Sequence, residues 1–337
     1  MAEARAYPFE FHGTAGEYFR IWIVNFFLTL VTLGIYSAWA KVRTQRYFAR
    51  SSRVAGSSFD YLADPLAILK GRLLVLGFFA VYSAVSVFAP PIEPFLALVV
   101  VALIPWAMVR SMAFRAHNTS WRNLRFRFRA RYGDAFTAYM GLPLLSLLTL
   151  GLLYPYTVFR QRRFLVDHAC FGTTPFRFAS SPGAFYGVFL RVSVLLVGAA
   201  LVIFAAAAAI QAAGSQAAGM VALRPVLLLP LYFYVFGYLS ASITNLTYHG
   251  ARLGEHRLAA DLPPTGVAWL YLTNALAMLA SLGLLIPWAR VRVARYRLEH
   301  LQLHAVGDLD AFVSAQAEEV ASLGAEFGDA LDLDLGL

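Results

Sequence analysis

Apolar and polar positions along this chain segregate into long blocks. Largely apolar runs occupy about Ile21 to Ala40, Leu73 to Ala89, Phe95 to Val109, Ala135 to Phe159, Val192 to Ile210, Pro225 to Leu246 and Gly266 to Ala289. Roughly 20 residues of helix cross the hydrocarbon core of a bilayer, so the pattern predicts seven transmembrane helices. Between the blocks stand short period-two pairs, Phe9-Glu10-Phe11, Phe59-Asp60-Tyr61, Phe126-Arg127-Phe128 and Phe176-Arg177-Phe178. Such alternation reads as a strand with one apolar face, and each pair is followed by a Gly- or Pro-bearing turn that opens the next apolar run. The expectation is an all-α polytopic membrane protein of about seven transmembrane helices joined by short β-hairpin-like loops, without a second soluble domain.

The blocks repeat. Asn25, Thr32-Leu33-Gly34, Trp39-Ala40-Lys41-Val42-Arg43 and Arg46-Tyr47 return as Asn274, Ser281-Leu282-Gly283, Trp288-Ala289-Arg290-Val291-Arg292 and Arg295-Tyr296. A third copy holds Thr149-Leu150-Gly151, Tyr154-Pro155-Tyr156, Arg160 and Arg163, and a weaker one holds Pro105-Trp106 with Arg110. Five diverged modules follow, about 9–58, 59–125, 126–175, 176–257 and 258–304, within a multi-pass domain over 1–304, and an acidic tail occupies 305–337. Trp39, Trp106, Tyr156 and Trp288 close their apolar runs as interfacial anchors do. Behind them Arg43, Arg46, Arg50, Arg110, Arg160, Arg163, Arg292 and Arg295 are placed to meet anionic lipid headgroups. Asn25 and Asn274 are polar groups inside apolar runs, read as packing glue between helices or as the lining of a polar path.

Composition agrees with a membrane location: 59% of residues are hydrophobic and 14% charged, against roughly 25% charged in soluble domains. The net charge is +9, and its basic clusters abut apolar runs, which favours anionic lipid over nucleic acid as the partner. If all seven runs cross, the richer face is cytoplasmic and the N-terminus external. In a rival arrangement modules one, three and five re-enter at their glycines, and of the 28 Lys and Arg Arg224 alone lies on the far side. Seven crossings is the arrangement expected, because irregular backbone facing lipid is costly. The C-terminus is cytoplasmic in both.

With these residues in view, the chain resembles the bacterial YjgN-like family of inner-membrane proteins of unknown function. The similarity runs from Phe9 to Leu337 and is most specific over Asn25 to Arg46 and at the terminal Asp332–Leu337. The resemblance implies a polytopic protein of the bacterial inner membrane and lends no biochemical activity.

Candidate chemistry is sparse. His300 and His304 have the i, i+4 spacing of a helical metal pair but no further His or Cys nearby, and nucleophile and phosphate-loop motifs are missing. No enzyme activity, metal or cofactor is expected. Two functions are carried forward: transport of a small molecule or lipid, suggested by repeats with broken helices, and a non-transporting envelope role in which arginine-rich interfacial helices grip headgroups. The apolar runs contain no carboxylate of the kind proton-coupled carriers use.

Overall fold

The computed structural model describes residues 4–212 and 224–334. The side chains of residues 210–227 and 323–337, among them the acidic positions Glu326 to Asp334 and the terminal motif Asp332–Leu337, lie outside the described set. Ten short strands organise the molecule: β1 (Ala4–Phe11), β2 (Ser52–Val54), β3 (Ser57–Tyr61), β4 (Thr119–Trp121), β5 (Leu124–Phe128), β6 (Ala169–Phe171), β7 (Thr174–Phe178), β8 (Ala251–Leu253), β9 (His256–Ala260) and β10 (Leu301–Val306). Each pairs antiparallel with its neighbours in sequence, and β1 closes on β10. Three-residue strands cannot hold an isolated hairpin, but closure leaves no edge unpaired. The β2–β3 and β4–β5 turns are two-residue turns with positive φ at both positions, Ala55-Gly56 and Arg122-Asn123, the geometry whose twist suits a tight hairpin.

Alternate strand connections are helical. The first hairpin is α1 (Ala15–Val31) and α2 (Ser37–Ser51); the second is α3 (Pro65–Phe88) and α4 (Glu93–His117). The third comprises α5 (Tyr132–Phe136), a π-helical turn, α6 (Leu142–Leu148) and α7 (Tyr154–Asp167). The fourth is α8 (Pro182–Ala212) and α9 (Arg224–Gly250), and the fifth α10 (Pro264–Ala280) and α11 (Ile286–Glu299). Each begins and ends on two paired strands: Phe11 faces Ser52, Tyr61 faces Thr119, Phe128 faces Ala169, Phe178 faces Ala251 and Ala260 faces Leu301. All five helical hairpins therefore stand on one rim. The tight turns form the opposite rim, and a final helix, α12 (Leu309–Asp334), lies across it.

The all-α, seven-helix expectation is thus wrong: the chain contains a closed ten-stranded antiparallel β-barrel. Among the described residues three stretches are long and apolar enough to cross a membrane, Pro65–Phe88, Pro90–His117 and Pro182–Ala209. The runs Ile21 to Ala40, Ala135 to Phe159 and Gly266 to Ala289 are each two arms folded back, not single crossings. The reversal is local. Leu33 and Gly34, Leu150 and Gly151, and Leu282 and Gly283 all have positive φ. The glycine amides bond back five residues, Gly34 to Thr29, Gly151 to Ser146 and Gly283 to Met278, at 2.7–2.8 Å. Thr32, Thr149 and Ser281 hydroxyls accept the amides of Tyr36, Leu153 and Leu285. The amides of the turn are thereby paired within the turn itself. Its leucine projects outward, 94% exposed in all three hairpins.

The period-two aromatic pairs follow from this plan. The first member of each, Phe9, Phe59, Phe126 and Phe176, packs inside the barrel around Trp121 and Phe171. Ring centroids of 5.1 Å for Phe126–Phe171 and 5.7 Å for Trp121–Phe171 are ordinary aromatic contacts. The second member seats a helical hairpin on the rim: Phe11 against Tyr18, Tyr61 against Val42, Phe128 beside Phe164 and Phe178 beside Phe185. The residue between them is charged in all four pairs; Glu10 and Arg177 are exposed, and Asp60 and Arg127 are half-buried.

Candidate functional site

The two arms of each short hairpin are tied at one level. Asn25 Nδ2 donates to Ala40 O (3.5 Å), Thr157 Oγ1 donates to Leu142 O (3.3 Å), and Arg292 donates to Asn274 Oδ1 (3.1 Å). The two asparagines are buried, yet Asn25 Oδ1 and Asn274 Nδ2 keep no partner. Asn25 faces a cleft.

That cleft lies between the arms of the first hairpin, α3 and α11, with a volume of about 610 Å³. Trp22, Phe26 and Leu30 form its apolar wall, and Lys41, Arg72 and Arg290 its basic side. A second cleft of about 890 Å³ opens across α2 toward α3 and α4, shares Lys41 and Arg72, and adds Arg110 beside Trp106. Among the described residues no Asp or Glu lines either one. Arg72 stands two turns inside the apolar α3 and donates to Ser37 Oγ, which in turn donates to Gly34 O at the hairpin break. Arg290 donates to Tyr18 Oη at 3.0 Å. Guanidinium groups anchored by neutral hydroxyls retain their full charge for an anion.

The sequence-selected arginines divide into two groups. Five bond to protein groups, most of them at the barrel rim: Arg46 to Tyr61 O (3.2 Å), Arg50 to both oxygens of Asp60 (3.0 and 3.2 Å), Arg163 to Asp167 (3.0 Å), Arg295 to Gly13 O (2.9 Å) and Arg292 to Thr273 and Asn274. The Arg50 hydrogen bonds hold the Asp60 carboxyl below its ordinary pKa, against a smaller opposing effect of burial. Arg43, Arg110 and Arg160 form no hydrogen bond to protein among the described residues; Arg43 and Arg110 are exposed, and Arg110 lies 5.8 Å from the Trp106 ring. Of the aromatic anchors, Trp39 stacks on Tyr36, Trp288 lies under Arg292, Trp106 is half exposed and Tyr156 packs beside Phe159.

Lys41, Arg72 and Arg290 were not singled out as a site in the sequence. Two signals for them exist: Lys41 and Arg290 occupy equivalent positions of the first and fifth modules, and Arg72 directly precedes the apolar run Leu73 to Ala89. His300 closes α11 and His304 lies in β10, so the two do not share a helix face.

A family described as "Bacterial protein of unknown function (DUF898)" matches residues 6–330. Inner membrane protein YjgN of Escherichia coli O157:H7 is 30% identical over 150 residues, 44% of this chain and 38% of the relative. Inner membrane protein YjgN of Salmonella typhimurium is 33% identical over 141 residues, 42% of this chain and 36% of the relative. The chain spans less than two fifths of the length of these curated relatives. No solved structure matches it.

Proposed function

The chain belongs to the DUF898 family, YjgN-like integral proteins of the bacterial inner membrane, and from that premise we propose that it binds anionic lipid headgroups in the paired clefts around its first helical hairpin. The observation that carries this is the shared Lys41–Arg72 pair, joined by Arg290 and Arg110, between apolar walls and with no carboxylate among the described lining residues. A phosphate can take bidentate hydrogen bonds from guanidinium while acyl chains follow the aromatic wall.

The membrane arrangement proposed with it puts the barrel in the cytoplasm. By chain position Arg224 is the one Lys or Arg at a hairpin tip, and basic residues stay on the cytoplasmic side. The apolar stretch of α1, Ile21 to Val31, rises about 16 Å at 1.5 Å per residue. Hairpins one, three and five then reach about mid-depth of a hydrocarbon core of roughly 30 Å, while the second and fourth cross it. We read the five strand–hairpin–strand units as diverged copies of one module. A transport reading draws on the same broken hairpins, which resemble the interrupted helices of carriers.

The test is lipid retention by the purified full chain in nanodiscs of phosphatidylcholine containing one-tenth phosphatidylglycerol, followed by native mass spectrometry. Enrichment of phosphatidylglycerol that drops at least fivefold in Lys41→Gln/Arg72→Gln supports the proposal, and unchanged enrichment in that variant refutes it. Phosphatidylglycerol movement between leaflets, lost in the same variant, would move the reading from binding to transport.

A further inference from the structure

The barrel interior is not filled. A chamber of about 310 Å³ lies inside it, walled by Phe59, Trp121, Phe171, Leu253 and Leu303 and floored by Phe312 of α12. Against it, on the helical rim, lies a second chamber of about 470 Å³. Phe126, Phe176, Tyr248 and Leu258 wall both. The rim chamber carries Arg162 of α7 and Arg297 of α11, and among the described residues no Asp or Glu lines either chamber. Arg297 donates to Tyr271 Oη at 2.8 Å, and Arg162 has no hydrogen-bond partner among the described residues. The barrel chamber has room for about ten waters at roughly 30 Å³ each. It offers them little: His256 already accepts the Val306 amide through Nδ1 (3.2 Å) and packs edge-on against Phe312. Arg257 of β9 also lines the barrel chamber and is itself solvent-exposed. The rest of the lining is predominantly aromatic and aliphatic, so the void holds water poorly and is costly to leave empty, and both volumes fall in the range of small-molecule sites.

We propose that these adjoining chambers form an axial binding site for a single-chain anionic amphiphile, its head between Arg162 and Arg297 and its chain among the aromatic side chains of the barrel. This site shares no residue with the clefts of the first hairpin and does not depend on them. The ligand chemistry is one carboxylate or phosphate head on one apolar chain; a neutral head leaves both guanidinium groups without an anion, and a two-chain lipid exceeds the barrel chamber. The helix α12 closes the far end. Its seat is the contact of Arg122 with Asp310 and the bonds of Thr173 and Thr174 to Gln316.

The experiment uses the full chain in a nonionic detergent with cis-parinaric acid as the fluorescent probe and its methyl ester as the uncharged control. Saturable binding of one acid per chain is expected, with the ester at least tenfold weaker. Arg162→Gln/Arg297→Gln should weaken the acid at least tenfold, and Leu258→Trp, which fills the wall common to both chambers, should abolish binding. Arg72→Gln/Arg290→Gln should leave binding unchanged, which separates this site from the headgroup clefts. Displacement by dodecanoate identifies a carboxylate head and by lysophosphatidylglycerol a phosphate head; displacement by neither overturns the proposal. Equal binding of acid and ester, or undiminished binding in Leu258→Trp, also overturns it. If Leu258→Trp does not fold, Phe176→Trp takes its place under the same criterion.

Discussion

Replacing an outward leucine at a short hairpin tip with aspartate separates a lipid environment from water. Leu33, Leu150 and Leu282 are 94% exposed, and among the described residues no side chain or backbone atom would meet a Cβ at Gly34 or Gly151 beside them. In water such a position tolerates substitution within about 0.5 kcal/mol. In the arrangement proposed, the tip sits near the bilayer midplane, where leucine contributes about −0.5 kcal/mol and aspartate costs about 3 kcal/mol. Leu33→Asp, Leu150→Asp and Leu282→Asp should therefore each destabilise the chain by about 3–4 kcal/mol in a bilayer. Leu→Ala at the same sites should cost far less, because neither residue is polar. The assay is equilibrium unfolding in bicelles by titration with dodecyl sulfate, followed by tryptophan emission. Losses below about 0.5 kcal/mol in all three aspartate variants would show that the tips lie in water and that the depth argument fails.

Other consequences concern the barrel. Phe171 is 1% exposed and touches Trp121, Phe126 and Phe312; Phe171→Ala should cost about 3–5 kcal/mol in chemical denaturation followed by near-ultraviolet circular dichroism, and a loss under 1 kcal/mol would count against the aromatic cluster of the barrel wall as a source of stability. Gln316 Oε1 accepts the amides of Thr173 and Thr174, both at 3.0 Å. Gln316→Ala orphans those donors, at about 1–3 kcal/mol, and should expose α12 to limited proteolysis while the helical hairpins stay resistant. His256 is buried, and burial lowers its pKa, with Glu255 opposing more weakly. The unfolded chain therefore takes up the proton first, so this contribution to stability is complete above the ordinary value of about 6.5 and is lost as pH falls below it. Unfolding free energies at pH 7.5 and 5.5 should differ more in the native chain than in His256→Gln; equal slopes would remove His256 from the account.

Much of the helical half was legible because membrane helices are written in hydropathy and breaks in short polar–glycine signatures. The Thr-Leu-Gly and Ser-Leu-Gly tripeptides marked where blocks fold back, yet hydropathy cannot distinguish one crossing of about 20 residues from two short arms. Only the positive φ at Leu33 and Gly34 decides it. The strands were visible one at a time, as Phe-x-Phe pairs, while their partners were not. Phe11 pairs with Ser52 and Tyr61 with Thr119 across an entire helical hairpin, and β2, β4, β6 and β8 are three residues each, too short for any periodicity. The closing pair, Ala4 to Val306, joins the two ends of the barrel, a contact without local signature. Among the basic residues, charge was legible and engagement was not: Arg46, Arg50 and Arg163 follow an apolar run as lipid-facing arginines would, but carbonyls and carboxylates near the barrel rim occupy them.

The central claim is that the five helical hairpins lie in the membrane above a barrel that lies wholly on its cytoplasmic side. Single cysteines in a Cys170→Ser background, at the barrel turns Gly56, Asn123 and Gly254 and at Pro91 between α3 and α4, address it through labelling by a membrane-impermeant maleimide. In intact cells Pro91→Cys should react and the three turn positions should not; in inverted vesicles the pattern should reverse. Labelling of any barrel turn from outside intact cells would contradict the account.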